Sequence, residues 1–383
     1  MKTKVAILTQ APLGTNYGNT AQAYALQTVL RNEGYEPIVL DRVRSEIYKT
    51  THWSLSQIKS AILNLVDKKH RLTPHVFNEI FKEHLSFVHK YLNLSERLHT
   101  DGELRKHFQN NKYDVIIVGS DQTWRPSYSP NIYNFFLDFL ESNKNIIKIA
   151  YATSFGTSSW EFSREETKRC AQLVQHFDAV SVREEDAVEM TAKHLIKDAV
   201  WVLDPTMLLE KSDYIKLIDA QRLSKRKGIY SYILDDTPAI SKFIKNAQQL
   251  LKMDHFTNQP KVRNKARVSK NLADYKYPSL EGWLQGFEEA DFIITNSFHG
   301  TVFSVIFNKP FLTIVNKERG ASRFYSLLGK LGLEDRIIDT VDLTNDQMEE
   351  IIFQKVDFSN ANQRLKEMKR ESMTFLLNAL DKN

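Results

Sequence analysis

The sequence predicts an α/β protein assembled from parallel-sheet units, and three sets of stretches carry that expectation. In Glu289–Val315 a helix tail leads into Phe292–Thr295, an apolar, β-branched run of strand length. A polar turn follows at Asn296–Gly300, then a helix over Thr301–Phe307 and a second apolar strand over Phe311–Val315. Strand, turn, helix and strand make a βαβ unit, whose turn sits at the carboxyl end of the strand, where ligands bind. The chain opens in the same way. Strand Val5–Thr9, a Gly/Pro-containing loop, helix Thr20–Asn32, Gly34 and strand Pro37–Leu40 read as a Rossmann-like start. Between these units the apolar runs Tyr113–Val118, Ile146–Tyr151, Ala179–Val182 and Val200–Leu203 supply further buried strands, with a helix at Ser163–His176.

A length of 383 residues suits two domains with ample cores. We place the first at 1–205 with a polar, mostly helical insertion at about 45–104, and the second at 206–360. A C-terminal helix in 361–383 is long enough to cross back onto the first domain. Composition is that of an ordinary globular chain, 42% hydrophobic and 26% charged. A net charge of +5 suits anionic substrates or an anionic surface and is too small to argue for nucleic acid. The lone cysteine, Cys170, lies in a helical pattern and reads as core. No signal-peptide pattern opens the chain and no apolar stretch is long enough to span a bilayer, so a cytoplasmic protein is expected.

Each strand end offers candidate site residues. After the first strand no G-x-G-x-x-G appears; Asn16, Asn19 and Gln22 stand there instead, amides suited to a polyhydroxylated ligand, or else an Asn/Gly turn capping the helix. Five of the eleven histidines fall between His52 and His89, at spacings that match no metal-ligand pattern, and read as surface residues. Aromatic and basic residues alternate through the same insertion (Trp53, Lys59, Phe77, Phe81, Phe87, Tyr91). They suit either a lipid-linked acceptor or the membrane face, or an amphipathic helical pair packed on its own domain. Gly119-Ser120-Asp121 ends the next strand, with Asp121 as a general base or a turn cap. Arg183 directly follows Ala179–Val182 and precedes Glu184-Glu185-Asp186 at a helix start. A cation there is out of place beside the helix dipole, and unless it pairs with Glu185 or Asp186 it awaits an anionic ligand. Asp204-Pro205-Thr206 reads as a crossing between domains.

The second domain opens with strand Gly228–Leu234 and helix Pro238–Leu251, followed by the basic run Lys261–Lys270, a solvated face or an anion-steering one. The turn of the central βαβ unit holds Ser297 and His299. Three cations, Lys317, Arg319 and Arg323, follow near the same sheet mouth, and Phe324–Leu331 and Ala361–Leu380 read as helices.

In order and spacing, NYGNTAQAYALQ (Asn16–Gln27), GSDQTW (Gly119–Trp124), YATSFG (Tyr151–Gly156), SVREED (Ser181–Asp186), LDPTMLL (Leu203–Leu209), TNSFHGTVFSVIFNKPF (Thr295–Phe311) and SRFYSLLGKLGL (Ser322–Leu333) make the chain resemble the polysaccharide pyruvyltransferase family. The resemblance implies two Rossmann-like domains facing across a cleft, as in GT-B glycosyltransferases. It also implies transfer of the enolpyruvyl unit of phosphoenolpyruvate (PEP) to sugar hydroxyls, usually as a cyclic pyruvate ketal. Two positions depart from the family pattern: Ser297 stands where an Arg often precedes the His by two residues, and Arg323 stands where Lys is common.

PEP concentrates about three negative charges, and guanidinium forks match both of its anionic groups. The expected donor set is Arg183 from the first domain with Lys317, Arg319, Arg323 and Ser297 from the second. His299 is the expected acid on the leaving phosphate, and Asp121 the expected base, ahead of Glu184. Asn16, Asn19 and Gln22 would hold the sugar. No cofactor or metal is called for. Arg183→Ala is expected to leave stability nearly unchanged. A nucleotide-sugar glycosyltransferase of the same fold class and a non-catalytic glycan-binding protein are the alternatives.

Overall fold

The computed structural model describes residues 2–43, 74–218, 226–262, 271–315 and 320–381. Within them two parallel sheets are built in chain order. The first holds β1 (Lys4–Leu8), β2 (Glu36–Arg42), β3 (Leu94–Leu98), β4 (Val115–Val118), β5 (Ile147–Thr153), β6 (Ala179–Val182) and β7 (Val200–Trp201), in the spatial order β3-β2-β1-β4-β5-β6-β7. The second holds β8 (Ile229–Tyr232), β9 (His255–Phe256), β10 (Phe292–Thr295), β11 (Phe311–Ile314) and β12 (Ile337–Ile338), in the order β12-β11-β10-β8-β9.

The apolar strands are hydrophobic along their whole length because both faces of each sheet are covered. With a side-chain period of two, alternate residues feed different cores. Val5, Ile7, Val115, Ile117, Ile149 and Tyr151 enter one cluster, while Ala6, Leu8, Ile116, Val118 and Ala150 enter another. The first cluster continues without a break into the second sheet through Tyr230, Tyr232, Ile293 and Phe311, so one apolar core joins the two sheets. The opposite face of the second sheet buries Ile229, Phe292, Ile294, Leu312 and Ile314 separately.

The helices that position the site are α1 (Tyr17–Asn32), α2 (Pro74–Tyr91), α5 (Glu185–Met190), α8 (Leu280–Glu289), α9 (Phe298–Ile306), α10 (Ser322–Leu331) and the terminal α12 (Phe358–Leu380). Helices α3 (Asp101–Asn110), α4 (Arg164–Val174), α6 (Lys211–Ile215), α7 (Pro238–Leu251) and α11 (Asn345–Phe353) complete the layers. The C-terminal helix contacts the first sheet: Ser372 Oγ accepts the Leu203 amide at 3.0 Å and Phe375 packs against Tyr151. Between the halves, Tyr17 of α1 stacks on Trp283 of α8 with ring centroids 5.2 Å apart, and on its other neighbour, His84 of α2, at 4.5 Å. His84 is fully buried with both ring nitrogens unpartnered, which corrects the expectation of a surface histidine; His75 and His89 are exposed. Phe81 and Phe87 are likewise buried, so the described part of the insertion packs on its own protein; Trp53 and Lys59 lie outside the described residues.

Candidate functional site

In open α/β sheets the strand order reverses at one place, and a crevice opens there at the carboxyl ends of the strands. In the first sheet the reversal lies between β1 and β4, and in the second between β8 and β10. A cleft of about 220 Å³ occupies both reversals at once. Gln10, Asn16 and Asn19 reach it from the segment after β1, Asp121 and Gln122 from that after β4, Leu234 from that after β8, and Ser297 and His299 from that after β10; Arg323 of α10 completes the set.

Two helices begin at this cleft. Asn16 caps α1, its Oδ1 accepting the Asn19 amide at 3.1 Å. Ser297 caps α9, its Oγ accepting the Gly300 amide at 3.3 Å. Both helices start three residues earlier than the sequence pattern suggests, because the polar turns ahead of them are cap plus first turn. His299 therefore sits in the first turn of α9. Close approach of the two helices requires Gly18: a Cβ there would lie 2.0 Å from His299 Nδ1. Gly300 is needed for the same reason, since its Cβ would lie 2.2 Å from Thr295 Oγ1.

Under the cleft lies a buried ion network that centres on Asp204. Its Oδ2 accepts from Arg183 Nη1 at 2.8 Å and lies 3.4 Å from His299 Nε2, within ion-pair range though outside hydrogen-bond geometry. Oδ1 accepts the Thr206 amide at 3.0 Å and the Thr206 hydroxyl at 2.6 Å, and the Ser120 hydroxyl reaches Oδ2 at 3.3 Å. Burial alone would raise its pKa. The charges of His299 and Arg183, with the donors around it, hold the Asp204 carboxyl well below the usual carboxylate range. Arg183 also meets Asp121 Oδ1 at 3.3 Å. Burial opposes its charge, yet Asp121, Asp204 and Glu184 raise its pKa further.

Three expectations are corrected here. Arg183 is only 1% exposed and pairs with Asp204 and Asp121, not with Glu185 or Asp186; it does not line the cleft. Glu185 instead pairs with Lys330. Gln22 is fully buried: its amide nitrogen donates to Thr9 and Asn19, and its oxygen accepts the Ser120 amide, so it braces the loop beneath the cleft. Glu184 is buried too, accepting from the Ser154 hydroxyl at 2.5 Å, and burial raises its carboxyl above the ordinary value against the pull of Arg183. It is not among the residues at the cleft. Lys317 and Arg319 lie outside the described residues, as does the basic run from Arg263 to Lys270.

Asn16, Asn19, Asp121, Ser297, His299 and Arg323 all line this cleft. Asp121 holds a left-handed backbone, φ 71°, uncommon for a residue with a side chain. Arg323 has no acidic partner among the described residues, and its Nε has no hydrogen-bond partner. Its guanidinium lies 5.6 Å from the centre of the Phe298 ring, which Arg183 also covers at 4.7 Å. Burial, and then repulsion from Arg183, push Arg323 down to about 10. The residue the sequence reading missed is Asp204. It stands at the carboxyl end of a correctly placed strand, the same signal that singled out Arg183.

No described helix is long and apolar enough to cross a membrane. Solved structures similar over the full chain include a UDP-N-acetylglucosamine 2-epimerase from Rickettsia bellii, at 11% identity and TM-score 0.51, covering 100% of this chain and 98% of that one. S. aureus MnaA in a co-structure with UDP matches at 13% identity and TM-score 0.50, covering 99% and 98%. UDP-GlcNAc 2-epimerase from Neisseria meningitidis, bound to UDP-GlcNAc, matches at 12% identity and TM-score 0.50, covering 98% and 100%. At these identities the likeness is one of fold: two Rossmann-like domains facing across a cleft, the GT-B arrangement. No curated protein matches the chain significantly. A family model described as polysaccharide pyruvyl transferase matches residues 16–318, and the chain belongs to that family.

Proposed function

We propose that the protein transfers the pyruvyl unit of PEP to two hydroxyls of a sugar in a polysaccharide or its lipid-linked precursor, forming a cyclic ketal and releasing inorganic phosphate. The observation that carries this reading is Arg323, a guanidinium at the cleft without an acidic partner among the described residues, beside His299 and the N-terminus of α9. A desolvated cation is costly unless an anion joins it. PEP supplies a carboxylate and a phosphate within reach of one site. Arg323, with Lys317 and Arg319 shortly before it in the sequence, takes the anionic groups, and Ser297 adds a hydroxyl.

In the reaction one sugar hydroxyl adds to C2 of PEP while C3 gains a proton and becomes a methyl group. A second hydroxyl then displaces phosphate from the same carbon and closes the ketal. The two protons lost by the sugar balance the one gained by C3 and the one carried away on phosphate. In this reading Asp121, at the cleft, takes a hydroxyl proton, and His299, 3.4 Å from Asp204, protonates the departing phosphate. The intermediate has oxocarbenium character, which a nearby carboxylate stabilises. Asn16 and Asn19 hold sugar hydroxyls. Arg183 acts beneath the site, fixing Asp121 and Asp204. The protein works on the cytoplasmic side, where PEP is made, with peripheral contact to the inner membrane face if the acceptor is lipid-linked. The test is phosphate release from PEP in the presence of acceptor, for wild type and Arg323→Ala. Turnover independent of PEP, or unaffected by the substitution, overturns the reading.

A further inference from the structure

The cleft has a rim that an anionic donor does not explain. Tyr128 borders it from the first domain at 44% exposure, and Leu234 borders it from the second at 48%. Large apolar groups left in water at a polar cleft call for an apolar surface on the ligand. Tyr128 is also held rigid. It lies in a turn in which its amide donates to the Arg125 carbonyl at 3.1 Å. The Arg125 guanidinium covers one ring face at 4.6 Å and is itself clamped by Glu161 through two bonds of 2.7 and 2.9 Å, and by Gln122 Oε1 at 3.0 Å. With that face covered, the exposed remainder of the ring borders the cleft. Leu234 is fixed by its amide, which donates at 2.6 Å to Oδ1 of Asn296, the residue before the Ser297 cap of α9.

We propose that Tyr128 is the stacking platform of an acceptor subsite and takes the apolar face of a pyranose ring, with Leu234 closing the opposite edge. A pyranose presents an apolar face of axial hydrogens ringed by hydroxyls. Around Tyr128 the cleft supplies the matching amides and hydroxyls, namely Gln10, Thr15, Asn16, Asn19 and Gln122. A preorganised aromatic ring binds such a face at little entropic cost. The inference rests on the pyruvyl-transfer reading only for which substrate the sugar is.

The experiment compares wild type with Tyr128→Ala, Tyr128→Phe and Tyr128→Trp. Saturation-transfer NMR would measure binding of methyl glycosides of galactose, glucose, mannose, N-acetylglucosamine and N-acetylmannosamine. Thermal shifts would measure PEP and UDP. The expected result is glycoside affinity about tenfold weaker in Tyr128→Ala and within about twofold of wild type in the Phe and Trp variants, with the PEP shift unchanged in all. Three results overturn the proposal: no glycoside binding that depends on residue 128, a PEP shift lost together with glycoside binding in Tyr128→Ala, or a UDP shift that disappears in Tyr128→Ala, which would make the ring a nucleobase platform. Failure of PEP to shift wild type, with aromatic-dependent glycoside binding intact, sinks the donor reading and leaves the platform standing.

Discussion

Replacing Arg183 by alanine removes the cation that holds two buried carboxylates together. The side chains of Arg183, Asp204 and Asp121 are 1%, 0% and 9% exposed. Without Arg183, Asp204 and Asp121 both lose the guanidinium that pairs with them. Breaking a buried pair from one side costs roughly 3–5 kcal/mol. Counting instead two charge-assisted hydrogen bonds at about 1.5–3 kcal/mol each gives a similar sum. This reverses the sequence expectation of little change, which rested on an unpaired cation beside a helix N-terminus. Urea denaturation of wild type, Arg183→Ala, Asp204→Asn and the double variant measures it. The account expects Arg183→Ala to lose several kcal/mol, with Asp204→Asn recovering part of the loss, a coupling of about 1–3 kcal/mol. Lysine at 183 recovers little, because one ammonium does not span both carboxylates. A loss below about 1 kcal/mol, or strict additivity with Asp204→Asn, refutes the network as drawn.

Arg323→Met should weaken PEP binding by about tenfold to a hundredfold while leaving the melting temperature unchanged or higher, since a desolvated cation beside Arg183 is removed; isothermal titration and calorimetry read the two effects. Burial pushes the His84 imidazole down to about 3 against about 6.5 unfolded, so the unfolded chain takes up a proton the folded one refuses as pH falls below about 6.5. That contribution is fully present above about pH 6.5 and fades by about 1.4 kcal/mol per unit down to about 3. His84→Phe should keep the stack on Tyr17 and flatten the stability profile between pH 6 and 4; an unchanged slope contradicts the assignment. Gly18→Ala should displace His299 and cost on the order of 100-fold in turnover at nearly unchanged PEP affinity, read from steady-state kinetics.

The sheets were legible because their strands are long apolar runs. Phe292–Thr295 and Ala179–Val182 were bounded to the residue. Strand β3 was not, because its residues, Leu-Ser-Glu-Arg-Leu, are mostly polar and it lies at a sheet edge. The two-residue strands β9 and β12 are too short for any periodicity to register. At the site, position relative to strand ends identified Asn16, Asp121, His299 and Arg323, since topology alone puts strand ends at the mouth. Depth within the mouth was not legible. Arg183 follows a strand end and Gln22 lies inside α1, and both are sealed beneath the mouth by contacts distant in sequence, Arg183 with Asp121 and Asp204 and Gln22 with Ser120. The role of Asp204 is not legible in the sequence because Arg183 and His299, the Arg and His side chains it meets, are 21 and 95 residues away. Sequence spacing carries no trace of such a pairing.

The central claim is that Arg323, a cation at the cleft without an acidic partner among the described residues, awaits PEP. Thermal denaturation of wild type and Arg323→Ala with PEP, UDP-glucose and UDP-N-acetylglucosamine tests it most directly, because a ligand that binds only the native state raises its melting temperature by mass action. The account predicts that PEP stabilises the wild type, that Arg323→Ala loses that stabilisation, and that neither nucleotide sugar stabilises either protein. Stabilisation by a nucleotide sugar and not by PEP would contradict it.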